Sequence, residues 1–312
     1  MLNKTMIFEK SLTLKQLRAL AAIVEFGNLS KAAAALNVTT PAVSTQLRNL
    51  EENFGTPMLV RGPDGYVDVT PAGQAVLTAV DEIETSLLHC MKRVDALKSG
   101  KEGHVILGVV STGKYYAPSL FVQIREALPD IDLELVVGNR GEIIEKLRNH
   151  DVDLAIMGRP PREPVVDAED LGPHPHLLIA PPGHPLLARK QVQAEDLLKE
   201  TFLCRELGSG TRILMERYLD RIGEGQPYDK IELGTNETIK QAVIAGLGIA
   251  LISAHTVIAE LESGRLMTID MQGLPIVRRW FVVHSADRKL TPAATHCRDF
   301  VISLNGSFLP HV

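Results

Sequence analysis

Apolar side chains recur at helical spacing early in the chain, with Leu17, Leu20, Ala21 and Val24 falling on one face between Leu14 and Phe26. That spacing predicts an amphipathic helix. Asn28 or Ser30 is placed to cap a second helix over Lys31 to Leu36. Thr40-Pro41 opens a third, with the proline in the first turn, where its missing N–H does no harm. Ala32 to Ala35 keep the second helix slim, so the third can cross it closely. Leu36, Val38, Val43, Leu47 and Leu50 are spaced to fill the angle between the two, and Asn37 suits a left-handed turn position. Gly55, Gly62, Pro63 and Gly65 then break the chain into two short extended pieces, Met58–Arg61 and Tyr66–Val69.

A longer helical pattern follows from about Pro71 to Lys98, with Thr70 as its cap. Its apolar positions Val76, Val80, Ile83, Leu87, Cys90, Val94 and Leu97 alternate in steps of four and three. This is the seam of a helix packed along another helix. No other segment offers a matching long helix, so the seam predicts a dimer, with Cys90 serving as a small apolar side chain. Beyond the linker Ser99-Gly100-Lys101-Glu102-Gly103, strands alternate with helices. Strands are predicted over His104–Val110, Asp132–Val137, Leu154–Met157, Leu177–Ala180, Thr201–Cys204, Ile249–Ile252 and Arg279–His284. Helices are predicted over Ala117–Ala127, Glu142–Arg148, Arg212–Ile222, Glu237–Ala245 and Pro292–Leu304. The alternation implies parallel sheets with covered faces, arranged as two α/β lobes joined by crossing strands. The expected organisation is a helical domain over 1–70, a linker helix over 71–99 and a two-lobed domain over 103–312. One lobe takes about 103–172 and 275–312, and the other about 173–274.

Composition narrows the class. The chain is 45% hydrophobic over 312 residues, ample for a core. Its apolar runs are interrupted well short of the roughly 20 residues that a membrane helix needs. The opening MLNKTMIFEKSLTLKQ lacks the apolar core of a signal peptide. A cytoplasmic protein without membrane segments is expected. Three widely spaced cysteines, Cys90, Cys204 and Cys297, suit reduced thiols better than a disulfide framework or a zinc site. The net charge of −5 does not advertise nucleic-acid binding. In the first domain Lys15, Arg18, Lys31, Arg48 and Arg61 are matched by Glu25, Glu51, Glu52, Asp64 and Asp68. Any affinity for DNA must come from the placement of charges, multiplied by a second copy.

Placement is what the third helix offers. Its outer face carries Thr39, Thr40, Pro41, Ala42, Ser44, Thr45 and Arg48, short side chains and one arginine that can meet base edges and phosphates in a major groove. Lys31, at the start of the second helix, belongs with this face. Arg61, in the turn region beyond, is placed to reach a phosphate or the minor groove.

In the second half three strand-to-helix turns stand out: Ser111-Thr112-Gly113-Lys114, Gly208-Ser209-Gly210-Thr211-Arg212 and Thr235-Asn236-Glu237-Thr238. Each places small polar residues at a helix start, where free N–H groups favour anions. Gly158-Arg159 directly follow a strand, and ligands of parallel α/β sheets sit beyond strand C-termini. With Lys114 and Arg212 adding charge, a small anion is expected against Ser111, Thr112, Lys114, Gly158, Arg159, Ser209, Thr211, Arg212, Asn236, Glu237 and Thr238. No cofactor is expected: the glycine fingerprint of a dinucleotide site is absent. His174 and His176 lack partners at metal-ligand spacing. Ser209 is not in a nucleophile elbow, and Cys204, beside the expected cleft, lacks a resolving cysteine. Trp280 and Phe281 are expected in the core. Neither an enzyme nor a free-standing periplasmic-type binding protein fits as well as a regulator that joins such a cleft to a DNA-reading element.

The residues also resemble a family. Ser30-Lys31-Ala32-Ala33, Thr40-Pro41-Ala42-Val43-Ser44, Leu50-Glu51 and Thr70-Pro71-Ala72-Gly73 look like those of LysR-type transcriptional regulators. The resemblance implies an all-α winged helix-turn-helix, dimerisation through the linker helix, often a tetramer, and a two-lobed domain like a periplasmic binding protein that takes an effector. It carries DNA contacts onto Thr40, Pro41, Ser44, Thr45, Arg48 and Arg61. It departs from many relatives at Thr40 and Thr45, where glutamine and arginine are usual. Ala155 to Pro161, Arg205 to Arg212, Asn236 to Val243 and Gly273 to Ile276 resemble the CbbR branch, which regulates Calvin-cycle operons. That branch implies sugar phosphates, phosphoenolpyruvate or nicotinamide nucleotides as effectors and promoter DNA as partner, with RNA polymerase a further partner the reading allows. The alternative within the family is a regulator of another metabolic operon.

Overall fold

The computed structural model describes residues 12–61, 67–98 and 101–311. The chain divides into two compact units, Met1–Cys90 and Met91–Val312.

The first unit is built by local signals. Helix α1 (Leu14–Phe26) is closed at its start by a reciprocal bond pair between Thr13 and Gln16 and ends on Gly27 at φ 76°. Helix α2 (Leu29–Ala35) takes Asn28 as its cap, and α3 (Thr40–Phe54) takes Thr39, with Pro41 in its first turn. Asn37 adopts φ 55° between them, the left-handed conformation that asparagine tolerates better than most residues. Strands β1 (Leu59–Arg61) and β2 (Val67–Val69) pair antiparallel. Gly62, Pro63, Gly65 and Tyr66 lie outside the described residues, as does the side chain of Arg61. Val38 departs from expectation. It is 48% exposed, because its N–H bonds back to the Ala33 carbonyl and holds it in the turn rather than in the helix–helix angle.

Helix α4 (Pro71–Lys98) starts on Thr70, whose hydroxyl accepts from the Gly73 N–H at 3.0 Å. The continuous dimer seam expected along it is corrected. Val76 and Val80 are buried with Leu17, Leu20, Leu50 and Met58, and Ile83 packs against that core. Those three positions are spent within their own unit, because α1 and α3 present an apolar cleft to the first turns of α4. Leu87, Cys90, Val94 and Leu97 remain exposed.

Gly73 permits that packing. A Cβ there would stand 2.2 Å from the Met58 carbonyl oxygen and 2.9 Å from a Val69 methyl. Gly73→Ala gains about 1 kcal/mol of helix propensity, but backbone cannot yield as a side-chain end can. A net loss of about 1–3 kcal/mol is expected. Thermal denaturation of the isolated helix-turn-helix signal by circular dichroism checks it, and an unchanged or higher melting temperature refutes it.

The second unit holds a seven-stranded sheet in the order β10-β6-β11-β5-β3-β4, with β9 also paired to β6. Strand β3 (Gly103–Val110) pairs in parallel with β4 (Ile131–Gly138) and β5 (Leu154–Met157). Helices α5 (Ala117–Ala127) and α6 (Arg140–Arg148) connect them. The chain then leaves this lobe along β6 (Val166–Ala180), where 15 residues form one strand. Around the second lobe lie α7 (Ala194–Leu197), β7 (Phe202–Cys204), α8 (Gly210–Gly223), β8 (Lys230–Glu232), α9 (Asn236–Ile244), β9 (Ala250–Ser253), α10 (Ile258–Glu262) and β10 (Met267–Thr268). Strand β11 (Ile276–Ser285) returns antiparallel to β6, and α11 (Pro292–Ser303) closes the first lobe.

The all-parallel expectation is therefore corrected. β11 runs antiparallel to β5 and to β6, and β9 and β10 run antiparallel to β6. The short strand expected at Leu177–Ala180 is the end of a crossing strand whose start is disguised by Pro173 and Pro175. Those prolines are tolerated because β9 joins β6 only from His176 onward, leaving an open edge before it, where no N–H is required. One core gathers Val105, Leu107, Ile156, Trp280 and Val283. Separate cores gather around Leu178, Phe202 and Leu219 and around Ile179, Ile239 and Ile252. Among the described residues, no helix is long and apolar enough to cross a membrane.

Candidate functional sites

The helix-turn-helix presents a polar face. Lys31, Thr39, Pro41, Ser44, Thr45 and Arg48 are exposed, and Thr40 and Ala42 half-buried. The opposite side of α3 is fixed by Val43 and Leu50, both fully packed, so the outer face is set by the core. The Thr39 hydroxyl accepts from the Ala42 N–H at 3.4 Å. Among the described residues Arg48 pairs with Glu52 alone, at 3.7 Å on the same helix, an exposed pair worth little. It remains free to exchange that partner for a phosphate.

The second unit contains a cavity of about 350 Å³ between its lobes. Its walls come from the ends of β3, β5 and α8's first turns, and its floor from the β6–β11 ribbon. Of the residues expected there, Ser111, Thr112, Gly158, Arg159, Ser209 and Thr211 line it. Lys114, Arg212, Asn236, Glu237 and Thr238 do not; the first two and the last two have side-chain partners elsewhere, and Asn236 engages its Oδ1 but leaves its buried Nδ2 without a partner. Lys114 and the Tyr115 hydroxyl both bond Glu237. Burial pushes the Glu237 carboxyl up, but those two bonds outweigh it and hold it below the usual range. Arg212 bonds Glu232, Glu216 at 3.0 Å and the Arg205 carbonyl. Asn236 accepts from Arg205 at 2.7 Å, and Arg205 also reaches Ser111 at 3.1 Å. Thr238 is bonded to Thr235, the cap of α9. The Asn236 cluster thus ties the lobes together beside the cavity. Cys204 is buried in the second lobe, away from the lining, and burial pushes its thiol up.

The cavity gains what the sequence reading missed: Arg140, Arg162, Arg217, Arg278, His174 and His176. With Arg159, five arginines line it and, among the described residues, no carboxylate does. None of the five has an ion pair among the described residues. Arg140 donates to the Arg159 carbonyl at 3.2 Å. Burial, then the charges of Arg159, Arg217 and Arg278, push the Arg140 guanidinium down from its ordinary value. Burial followed by Arg159 and Arg217 does the same to Arg278. Uncompensated like charge of this kind favours an anion. A signal for Arg140 was available: Gly138-Asn139-Arg140 is a fourth strand-to-helix turn. Arg217 and Arg278 carried none, since one lies two turns along a helix and the other at a strand's edge.

Beneath the arginines lies a ring cluster. His174 and Arg278 are direct partners across the ribbon, so they share a face. His174 stacks on Trp280 at 3.8 Å and 15°, and its Nε2 meets Ser253 Oγ at 3.0 Å. Trp280 donates its indole N–H to His255 Nδ1 at 3.2 Å. Burial holds His174 well below the usual histidine range and His176 and His255 at about 4. All three are neutral at pH 7, so the positive charge comes from the arginines alone.

Two family models match: the LysR substrate binding domain over residues 98–305 and the bacterial regulatory helix-turn-helix protein, lysR family, over residues 14–74. The HTH-type transcriptional regulator CbbR of Cereibacter sphaeroides is 52% identical over 301 residues, covering 96% of this chain and 97% of that one. The regulatory domain of CcmR from Synechocystis PCC6803, solved in complex with 2-PG, is 32% identical with a TM-score of 0.60, covering 65% of this chain and 97% of that one. Full-length CbnR, solved with its target DNA, has a TM-score of 0.70 at 18% identity, covering 94% of this chain and all 100% of that one, and shows the fold alone. A helix-turn-helix ahead of a two-lobed unit with an arginine-lined cavity, matched along nearly its whole length, makes this chain a member of the LysR family of transcriptional regulators, closely related to the CbbR regulators of carbon fixation.

Proposed function

We propose that this regulator controls carbon-fixation genes, and that a small phosphorylated metabolite in the arginine-lined cavity modulates its hold on promoter DNA. The observation that carries the reading is the set of five arginines around one cavity with no carboxylate among its lining residues. Such an arrangement is destabilising by itself and is relieved by an anion. The relation to CbbR supports the choice of genes, and 2-phosphoglycolate bound by the related CcmR domain supports the choice of ligand class. The DNA contacts are assigned to the exposed face of α3 with Lys31, and to Arg61. The exposed positions Leu87, Cys90, Val94 and Leu97 serve a second copy, which doubles the few basic contacts of each helix-turn-helix. An effector shifts the equilibrium only by its difference in affinity between two lobe arrangements.

The test is a gel-shift and footprint of the gene's own upstream DNA at increasing 2-phosphoglycolate, with ligand affinity read from the fluorescence of Trp280, the chain's one tryptophan. Arg278→Gln removes a charge-assisted bond, so affinity for 2-phosphoglycolate is expected to fall about ten- to a hundredfold. The ligand-dependent change of footprint is lost with it. Undiminished affinity in Arg278→Gln, or a footprint indifferent to ligand in the wild type, refutes the reading.

A further inference from the structure

We infer that His174 is an effector-contacting residue whose Nδ1–H, oriented through the ring by Ser253, donates a hydrogen bond to an anionic oxygen of the ligand. This rests on the reading of the cavity as the effector site and adds to it an uncharged, directional contact.

The place of the ring comes first. His174 lines the cavity, yet it is only 5% exposed. Its plane is held by the stack on Trp280 at 3.8 Å and 15°, with the His176 ring 4.2 Å away between centres. Its Nε2 meets Ser253 Oγ at 3.0 Å. Its other nitrogen, Nδ1, has no hydrogen-bond partner. That nitrogen faces Gly158, a second lining residue. A Cβ at Gly158 would stand 2.8 Å from Nδ1, and beyond the ring the next atom it would meet is the Arg279 carbonyl oxygen at 4.0 Å. Any other residue there would cap the nitrogen, and glycine leaves its approach open.

Counting hydrogen bonds then fixes where the ring proton sits. Ser253 is fully buried, and among the described residues its hydroxyl has His174 Nε2 as its one partner. A serine hydroxyl can meet a ring nitrogen as donor or as acceptor. Suppose Nε2 held the proton and donated it. The Ser253 proton and the Nδ1 lone pair would then both be left unpaired in the interior. With Ser253 donating, Nε2 accepts and the proton sits on Nδ1, so one group is left unpaired instead of two. Unpaired buried polar groups are costly and rare, so the second arrangement prevails. Burial keeps the ring neutral, which leaves it one proton to place.

Nδ1–H is therefore a buried donor without an acceptor, in the floor of a cavity walled by arginines. A ligand oxygen entering beside Gly158 supplies the acceptor. Arginine charge draws an anion into the cavity from many directions. A ring N–H locked by a stack and a hydroxyl sets one direction, and so orients the ligand on the floor.

The experiment uses the full-length protein. NMR of 15N-labelled histidine side chains is recorded without and with saturating 2-phosphoglycolate, and affinity is measured by isothermal titration at pH 7.5. The His174 signals are those missing from His174→Asn. In the unliganded wild type the proton is expected on Nδ1, and its resonance moves downfield with ligand. Ser253→Ala is expected to shift part of the population to the Nε2–H tautomer. His174→Phe keeps a ring against Trp280 and is expected to bind 2-phosphoglycolate about tenfold more weakly, the size of one hydrogen bond to a charged group. His174→Asn, whose amide stands where Nδ1 did, is expected to recover most of that loss. Melting temperatures report that each variant folds, and the wild-type spectra need no variant to fold. A wild-type proton on Nε2, or on both nitrogens, overturns the donor assignment, as does a resonance indifferent to bound ligand. Wild-type affinity in His174→Phe, or equal losses in His174→Phe and His174→Asn, overturns the contact. An unchanged tautomer in Ser253→Ala overturns the role given to Ser253. Each of these leaves the effector reading intact. A wild type that binds no 2-phosphoglycolate overturns the effector reading, and the contact falls with it.

Discussion

Acidification from pH 7 to pH 5 is expected to remove about 4 kcal/mol of stability from the effector-binding unit, well before its carboxylates titrate. The cause is the buried histidine cluster. The unfolded chain takes protons on these rings near 6.5, whereas folded His176 and His255 take them only at about 4. Between those values the unfolded state binds more protons, so stability rises with pH and is lost as pH falls through the window. At about 1.4 kcal/mol for each pH unit separating the two values, each ring withholds about 3 kcal/mol when the window is fully crossed. His174 acts in the same direction, held down by burial first and then by His176, His255 and Arg278. A loss of this size is a large share of the roughly 5–15 kcal/mol that holds a domain together. Urea denaturation followed by Trp280 fluorescence at pH 7, 6 and 5 measures it. Trp280 stacks directly on His174, so the probe sits within the cluster. His176→Asn is expected to flatten the dependence whatever it does to absolute stability. A midpoint that stays level from pH 7 to 5 would show that these rings are not held neutral by the fold.

Truncating Trp280 to alanine is expected to cost about 3–5 kcal/mol, the range for large aromatic side chains in a packed core. Trp280 is fully buried, and three contacts fail together. Its edge-to-face contact with Tyr116 at 5.3 Å is lost, as is the stack on His174. His255 Nδ1 also loses the indole N–H as its donor. Trp280→Phe isolates the last of these: it keeps a ring in place but leaves a buried acceptor unpaired, for about 1–3 kcal/mol. Thermal denaturation by circular dichroism ranks the two. A Trp280→Ala protein that melts within a degree or two of the wild type is incompatible with this account. Because Trp280 lies on β11 where the register with β6 shifts between Trp280 and Phe281, damage there also reaches the cavity floor.

The first unit was legible because its instructions are local. The Asn28 and Thr39 caps, Pro41 in the first turn and Asn37 at φ 55° each act within four residues of where they stand. Helical period then tells which face is buried. The same logic misjudged α4, since a stripe of step four and three shows that a face is apolar and not what covers it. Val76 and Val80 meet their own α1 and α3 core, while Val94 and Leu97 do not.

The cavity was half legible. A turn at a strand's end is a local motif, and Ser111, Thr112, Gly158, Arg159, Ser209 and Thr211 were found that way. Lys114 and Arg212 do not line it, and the carboxylates that neutralise them, Glu237 and Glu232, are distant in sequence, so local pattern could not show it.

By itself, then, the sequence determined the helix-turn-helix, its exposed polar face, the long helix and the family, all of which depend on near neighbours and on motifs kept contiguous. Only the tertiary structure decided which charges stay free. Arg140, Arg159, Arg162, Arg217 and Arg278 come from a helix start, a loop, a second helix and a returning strand. They converge because β6 and β11 cross between the lobes antiparallel. Whether an arginine is a surface charge, a partner in an ion pair or part of an anion site is fixed by long-range packing, on which local pattern has no purchase.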